Sequence, residues 1–422
     1  MPSNAHLSSK RFSPLLSMPL VAALCLIVAR PASAGVAIDL SDFIKGPETN
    51  GMTMRSTDAT LNMRLCVQTR LEYGDTGTTP GGNAYSTDAD LYFKILSLET
   101  TGALTKDLKY NLVFIKGREG QAGRTSSTTD GSARLQNAFI DYKLSDTATI
   151  RFGKAKLPYS RSAATHYSKQ MFVELASSVD GAKAQFGDYF QPQAALSGGF
   201  MGDTLGYGLF VADGWEAGAN LNGKDDKDGK VYRSATLYGA RLEYSPPGFV
   251  ETGRSDAHLG KGRHLTFSAT GAAQKNIEYS TFNGIASTGS EDRTLTVFDV
   301  SGHLSGFTGQ AEYLASAIEY TGHGLAKKRP KGWYAQAAYY IGNLHIEPAV
   351  KYEIYDQDAL APEKKETNRT LGVNWYLKGH SLKASFNWIH SVLEDNAVSG
   401  LTVSGAKART RDRYQLEAQL FL

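Results

Sequence analysis

The side chains that could carry out covalent chemistry form no recognisable catalytic motif in this chain of 422 residues. The most suggestive group is His166 with Ser162 and Ser168, because an imidazole can activate a serine hydroxyl for nucleophilic attack. The G-x-S-x-G turn that presents the serine in many hydrolases is absent from the sequence. We therefore expect no enzyme, and a hydrolase remains an alternative that substrate turnover would reveal.

Metal-ligating patterns are also weak. Residues 222–229 read N-G-K-D-D-K-D-G, but this acidic run lacks the spacing of an EF-hand, and a solvated loop needs no ion. The two cysteines are Cys25 and Cys66, and no cluster of His and Cys has the spacing of metal ligands. We expect no metal and no cofactor. Because Cys25 lies in a predicted signal segment, we also expect no internal disulfide.

The elements that hold these side chains have a side-chain period of two. Residues 413–420 read R-Y-Q-L-E-A-Q-L, so one face of this segment is apolar and the other is polar. A soluble protein would need a core to cover the apolar face, whereas lipid covers it in an outer-membrane β-barrel. We therefore expect this segment to be the closing strand of such a barrel.

The same alternation recurs along most of the chain, and its segments predict an all-β fold. We predict about sixteen strands, near residues 60–73, 85–100, 107–118, 133–144, 147–156, 184–199, 204–213, 233–245, 264–275, 292–303, 306–320, 331–342, 344–355, 366–378, 381–391 and 409–421. Long connections are predicted at 119–132, 214–232, 276–291 and 392–408. An even number of strands with alternating short and long connections is typical of a transmembrane antiparallel β-barrel.

The polar faces of these strands carry ionised residues. In the first strand, Leu61, Leu65 and Leu71 lie on one side, and Arg64 and Arg70 lie on the other. A hydrated lumen tolerates such charges, whereas a dry core does not. Tyr and Trp cluster near strand ends, which fits either the aromatic girdles of a barrel or the ordinary strand preference of aromatic residues.

The first residues are typical of a secretory signal peptide. Two basic residues precede an apolar run over 15–29, and Ala32-Ser33-Ala34 is a small-residue cleavage site. We assign 1–34 to the signal, 35–59 to a polar N-terminal segment and 60–422 to the barrel. An N-terminal anchor helix and a lipoprotein attached through Cys25 are the alternatives.

The net charge shows that the predicted mature chain is not strongly basic. Of the 45 basic residues, three lie in the signal segment, so the mature chain has 42 basic and 42 acidic residues. Any preference for anions must therefore depend on where the charges lie. No basic-aromatic module is present, and we expect no nucleic acid as a partner.

One long connection differs from the others. Residues 157–183 contain Pro158, which ends the strand pattern, several basic residues and the apolar run Met171-Phe172-Val173. A loop in water does not need that apolar run, whereas a loop folded into a barrel packs it on the inner wall. We predict a constriction loop folded into the lumen, with an ordinary outer loop or a subunit-contact loop as the alternative.

Several segments resemble the phosphate-selective porin O and P family. They are A-F-I-D-Y at 138–142 with R-F-G-K-A-K-L-P-Y-S at 151–160, then E-P-A-V-K-Y-E at 347–353 with G-V-N-W-Y-L-K-G-H at 372–380, and finally the closing strand. The resemblance extends from about residue 60 onward. It implies a sixteen-stranded homotrimeric barrel in the bacterial outer membrane, with an inward third loop and a basic lumen that conducts anions such as phosphate.

The resemblance also implies which residues contact the anion. In that family, lumenal Arg and Lys side chains replace part of the anion's hydration with charge-assisted hydrogen bonds. The corresponding candidates here are Arg64, Arg70, Arg134, Arg151, Lys154, Lys156, Arg161, Lys169 and Arg241. The carboxylates of Glu72, Glu243, Glu347 and Glu353 alternate onto polar faces too, and could pair with these cations.

The expected function is therefore an outer-membrane porin, a passive diffusion channel for small ions. Its expected partners are outer-membrane lipid, small inorganic anions and further copies of the same chain. A weakly selective general porin and a structural barrel that sheathes a partner protein are the alternatives. Bilayer conductance would support a channel, and a co-purifying protein would support the sheath.

Overall fold

The computed structural model describes residues 37–39, 52–55, 59–78, 85–119, 133–186, 189–214, 229–233, 236–282, 285–322, 326–394 and 408–422. These residues form one sheet of nineteen strands that closes on itself. Three of the strands are short pieces, Ala37–Asp39, Met52–Arg55 and Gly229–Arg233. The remaining sixteen are the wall of an antiparallel β-barrel.

The wall strands follow one another in chain order. They are β1 Thr60–Thr78, β2 Tyr85–Ala103, β3 Leu108–Glu119, β4 Arg134–Ser145, β5 Ala148–Lys156, β6 Phe190–Phe200, β7 Leu205–Ala212, β8 Leu237–Tyr244, β9 Arg263–Phe282, β10 Ile285–Leu304, β11 Phe307–Thr321, β12 Lys331–Tyr339, β13 Ile346–Asp356, β14 Lys365–His380, β15 Leu382–Glu394 and β16 Ala408–Phe421. The last strand closes the barrel on β1, with Leu416 opposite Leu71 and Glu417 opposite Arg70.

The wall is apolar outside and mostly polar inside. In β14, Leu371 is 49% exposed on the outer surface, whereas the neighbouring inward residues Thr370 and Asn374 are buried. The same alternation runs along β13 and β16. A continuous apolar outer surface around a polar interior is the arrangement of a barrel that stands in lipid.

All sixteen predicted strands are present, so the sequence-based fold prediction is confirmed. The prediction of a long loop at 276–291 is wrong, because β9 continues to Phe282 and β10 begins at Ile285. Beyond the apolar band, β9 and β10 stay paired through backbone hydrogen bonds. Such bonds do not require the alternation of apolar and polar residues on which the prediction rests.

The other predicted long loops fall largely on 120–132, 215–228 and 395–407, outside the described residues. The signal segment and most of 35–59 also lie outside them.

The connection between β5 and β6 enters the barrel and confirms the predicted constriction loop. This inward segment, residues 157–186, contains helix α1 Arg161–Ala164, a 3₁₀ turn Tyr167–Lys169 and helix α2 Ser177–Gln185. Helix α2 explains why β6 begins later than predicted. The buried side chains of Leu157 and Val179 pack against inward residues of the wall, including Leu237 and Val297.

A second connection also folds inward, which the sequence did not predict. The β8–β9 connection, residues 245–262, lies at the barrel end where the other described turns are short. Its residues Ser255, Asp256 and Ala257 are buried. The backbone N–H of Asp256 donates to the carbonyl of Lys169 at 3.1 Å, so this connection touches the inward segment. No helix in the described part of the chain has the length and apolar character needed to cross a membrane.

Candidate functional site in the lumen

Arg70 fixes the middle of the inward segment to the wall. Its buried guanidinium donates to Glu417 at 2.8 Å and to the carbonyl of Val173 at 2.9 Å, and it also pairs with Glu174. The ammonium of Lys94 lies 3.1 Å from the same Glu174 carboxylate. Burial alone would raise the pKa of Glu174, but Lys94 and Arg70 hold it well below its usual range. Arg70 is therefore paired with two carboxylates, those of Glu417 and Glu174.

Arg161 is neutralised in a similar way. From α1, it donates two hydrogen bonds to Glu251 of the β8–β9 connection, at 2.6 and 2.7 Å, and a third to the carbonyl of Ser255 at 3.0 Å. Burial opposes ionisation of Glu251, but the bonds and charge of Arg161 lower its pKa to about 2. This bidentate pair joins the two inward connections.

Arg241 lies buried on the inner face of β8. It forms a bidentate pair with Asp299 of β10 at 2.7 and 2.9 Å, and its Nε donates to Glu243 at 2.7 Å. The competition from Glu243 that the sequence suggested is therefore present. Arg241 holds the wall together and has little positive charge to offer an anion.

The remaining arginines are more accessible. Arg64 and Arg151 each have about a third of the side chain exposed. Arg64 pairs with Glu99 at 3.2 Å, and Arg151 pairs with Asp141 at 2.7 Å. Arg134 is exposed at the start of β4, and its side chain makes no hydrogen bond or ion pair with described residues.

The three lysines occupy different places. Alternation along β5 puts Lys154 on the face of Phe152, which is 54% exposed on the outer surface, and not on the lumenal face. Lys156 donates to the carbonyl of Thr165 at 2.7 Å. Lys169 lies half-buried in the inward segment, and its ammonium makes no hydrogen bond or ion pair within the described ranges.

The nine candidates thus do not form one cluster, and the sequence missed other cations that contact the inward segment. Lys383 of β15 donates to the carbonyls of Gln170 at 2.9 Å and Ser168 at 3.3 Å. Lys351 of β13 donates to the carbonyl of Glu174 at 3.3 Å. Alternation places both lysines on polar faces, but it does not tell which stretch of wall the segment touches.

The suggested hydrolase group is only partly assembled. His166 Nδ1 lies 2.7 Å from Ser168 Oγ, and its Nε2 lies 3.0 Å from Glu99. Ser162 lies elsewhere, because its side chain hydrogen-bonds Tyr334 of β12 and its backbone N–H donates to Glu312 of β11 at 2.6 Å. Ser168 is only 1% exposed, so a substrate carbonyl has no access to its hydroxyl.

Three histidines meet although their sequence spacing gave no sign of it. His258 of the β8–β9 connection, His264 of β9 and His303 of β10 place one ring nitrogen each within 4.8 Å of the others. The strand register sets His264 directly opposite His303. Burial, and then the neighbouring His303 and His264, lower the pKa of His258 to about 3. The sequence-based expectation of no metal-ligand cluster overlooked this group, because its members come together through strand pairing.

The closed barrel, its lipid-compatible outer surface and the segment folded into its lumen define a porin of the bacterial outer membrane. The family model described as phosphate-selective porin O and P matches residues 65–416. The chain therefore belongs to this porin family.

Individual relatives agree with this assignment. An uncharacterized protein of Aquifex aeolicus is 29% identical over 351 residues, which cover 78% of this chain and 81% of that protein. Porin O of Pseudomonas aeruginosa is 24% identical over 366 residues, covering 82% of this chain and 78% of the relative. Among solved structures, the anion-selective porin from Comamonas acidovorans shares the fold with a TM-score of 0.58 and 14% identity, over 86% of this chain and all of that one.

Proposed function

We propose that this porin is a passive diffusion channel that favours small anions, phosphate included, and that Lys169 is an anion contact in its lumen. The observation that carries this proposal is the contrast between Lys169 and the buried arginines. Arg70, Arg161 and Arg241 are each held by carboxylates, whereas the Lys169 ammonium has no such partner in the described part of the chain.

Lys383 strengthens the positive field beside Lys169. Its ammonium bonds the carbonyls of the two residues that flank Lys169, and no carboxylate lies within ion-pair distance of it among the described residues. An ammonium with free donors replaces part of an anion's hydration shell. A single such contact binds weakly enough to release the ion, which conduction requires.

The names of similar proteins support the same proposal. Porin O is a named relative, and the Comamonas structure is described as an anion-selective porin.

We further infer that the protein forms a homotrimer surrounded by outer-membrane lipid, and that it has no enzymatic activity. A solved structure of OmpT from Vibrio cholerae, which shares the fold with a TM-score of 0.52, is described as a trimer form. Native mass measurement in detergent tests the trimer, and a monomer would contradict it.

Reversal potentials test the anion preference. We expect the current through the purified protein in a planar bilayer to have a reversal potential that indicates anion selectivity, in gradients of potassium chloride and of potassium phosphate. Lys169→Gln should move the reversal potential toward zero, because it removes the free positive charge. Lys106→Gln is the matched control, since Lys106 lies 90% exposed in the turn between β2 and β3. Unchanged selectivity in Lys169→Gln would contradict the assignment of Lys169.

A weakly selective general porin is the second candidate. The pairing of Arg70, Arg161 and Arg241 with carboxylates favours it, because these pairs cancel much of the positive field. In that case the native channel would conduct with a reversal potential near zero. That result would remove the anion preference and leave the porin assignment in place.

A further inference from the structure

The three histidines described above are different residues from the anion contact proposed at Lys169. His264 and His303 point inward from neighbouring strands, and both are buried. His258 approaches from the β8–β9 connection, and its ring stacks on that of His303 with the centroids 3.5 Å apart. The cluster thus joins two wall strands to a connection that folds into the barrel.

The protein satisfies only some of the ring nitrogens of this cluster. His264 Nε2 lies 3.1 Å from Ser301 Oγ, and its Nδ1 forms a hydrogen bond with His303 Nδ1. The Nε2 atom of His258 is buried and has no hydrogen-bond partner in the described part of the chain. His303 has a backbone hydrogen-bond partner in Lys261. Buried polar atoms almost always have a partner, so the unpaired Nε2 of His258 requires an explanation.

We propose that His258, His264 and His303 bind a divalent transition-metal ion of the zinc class. Imidazole nitrogens suit Zn²⁺, Cu²⁺ and Ni²⁺ and are poor ligands for Ca²⁺ or Mg²⁺. Nitrogens around one tetrahedral zinc ion lie about 3.3 Å apart. The ligand atoms already lie within 4.8 Å of one another, and an ion would separate the two Nδ1 atoms of His264 and His303, which now contact each other directly. Three protein ligands leave a fourth position for water.

The surroundings fit a cation. The carboxylate of Glu251 lies 3.7 Å from His258 Nε2 and contributes negative charge beside the ion. The hydroxyl of Ser301 orients the His264 ring through its second nitrogen, as outer partners of metal-bound histidines do. Because Glu251 also holds Arg161, an ion at this site fixes the β8–β9 connection to the wall and, through Arg161, to the inward segment.

Metal titration tests this proposal independently of ion selectivity. The full chain is purified without a polyhistidine tag, stripped with a chelator and titrated with Zn²⁺ against a chromophoric competitor. We expect one ion per chain at micromolar Zn²⁺. His258→Ala should weaken binding by about 100-fold or more, because loss of even an outer partner of a metal ligand costs roughly 10–100-fold.

His390→Ala is the matched control, because this histidine of β15 pairs with Asp412 of β16, and neither strand belongs to the cluster. It should leave the zinc affinity unchanged. X-ray absorption of the native complex should show three imidazole ligands, and this readout does not depend on any variant folding. Absence of binding at micromolar Zn²⁺, equal binding by His258→Ala, or a spectrum without imidazole ligands would each overturn the proposal.

Discussion

Arg70 shows how single residues set the charge of the lumen. Its guanidinium is fully buried inside the barrel, where an unpaired cation would be strongly unfavourable, and Glu417 and Glu174 supply the compensating charge. Alternation predicted that Arg70 faces inward, and this was correct. The sequence could not show that Glu174 meets it, because Glu174 belongs to a connection whose path depends on contacts with distant strands.

Glu174→Gln should therefore increase the preference for anions. The change removes a negative charge that neutralises Arg70 and Lys94, while a side chain of the same shape remains. Since the pKa of Glu174 is depressed, the carboxylate is ionised at neutral and mildly acidic pH. The variant should thus shift the reversal potential equally at pH 7 and pH 5. Exposed Glu363→Gln is the control, and an unchanged or more cation-selective Glu174→Gln channel would contradict the expectation.

At the scale of elements, the wall was predictable and the interior was not. Each strand shows a period of two over its membrane-spanning part, so sixteen strands follow from local sequence alone. The extensions of β9 and β10 beyond that part carry no continuous apolar stripe, and for this reason the sequence predicts a loop there. The inward path of the β8–β9 connection depends on the pair between Arg161 and Glu251, which lie 90 residues apart.

Glu251→Gln should release the β8–β9 connection from the inward segment. It leaves the buried guanidinium of Arg161 without its carboxylate, and breaking such a pair costs about 3–5 kcal/mol. Hydrogen exchange should accelerate in 245–262 and in α1. Asp146→Asn, which breaks an exposed pair with Lys143, should leave both regions unchanged. Unaltered exchange in Glu251→Gln would show that other contacts hold the connection.

The same pair predicts a pH dependence. The pKa of Glu251 is lowered to about 2 in the folded protein, from an ordinary value of 4.5. Its stabilising contribution is therefore fully present above about pH 4.5 and is lost as the pH falls toward 2. Exchange in 245–262 should stay constant from pH 7 to 5, after correction for the intrinsic rate, and should rise below pH 4. The Glu251→Gln variant should lack this rise.

The whole molecule has an apolar outer surface, and its interior combines a network of paired charges with the apolar cluster that packs against the inward segment. Alternation in the sequence was sufficient to predict this arrangement, because each strand must present one face to lipid and the other to the lumen. What alternation leaves undetermined is how far the lumen is filled. Of the connections that the structure describes, two occupy it, and the contacts that hold them join residues far apart in the chain.

The membrane itself supplies the sharpest test of this arrangement. Leu371 lies near the middle of β14 on the outer surface, and Leu371→Arg should destabilise the barrel in lipid vesicles by about 2–4 kcal/mol, the cost of a cation at the bilayer midplane. Leu360→Arg is the control, because Leu360 is the same residue type and is even more exposed, but it lies in the connection between β13 and β14. Urea unfolding from vesicles measures both. Equal stabilities of the two variants would mean that the face bearing Leu371 does not contact hydrocarbon.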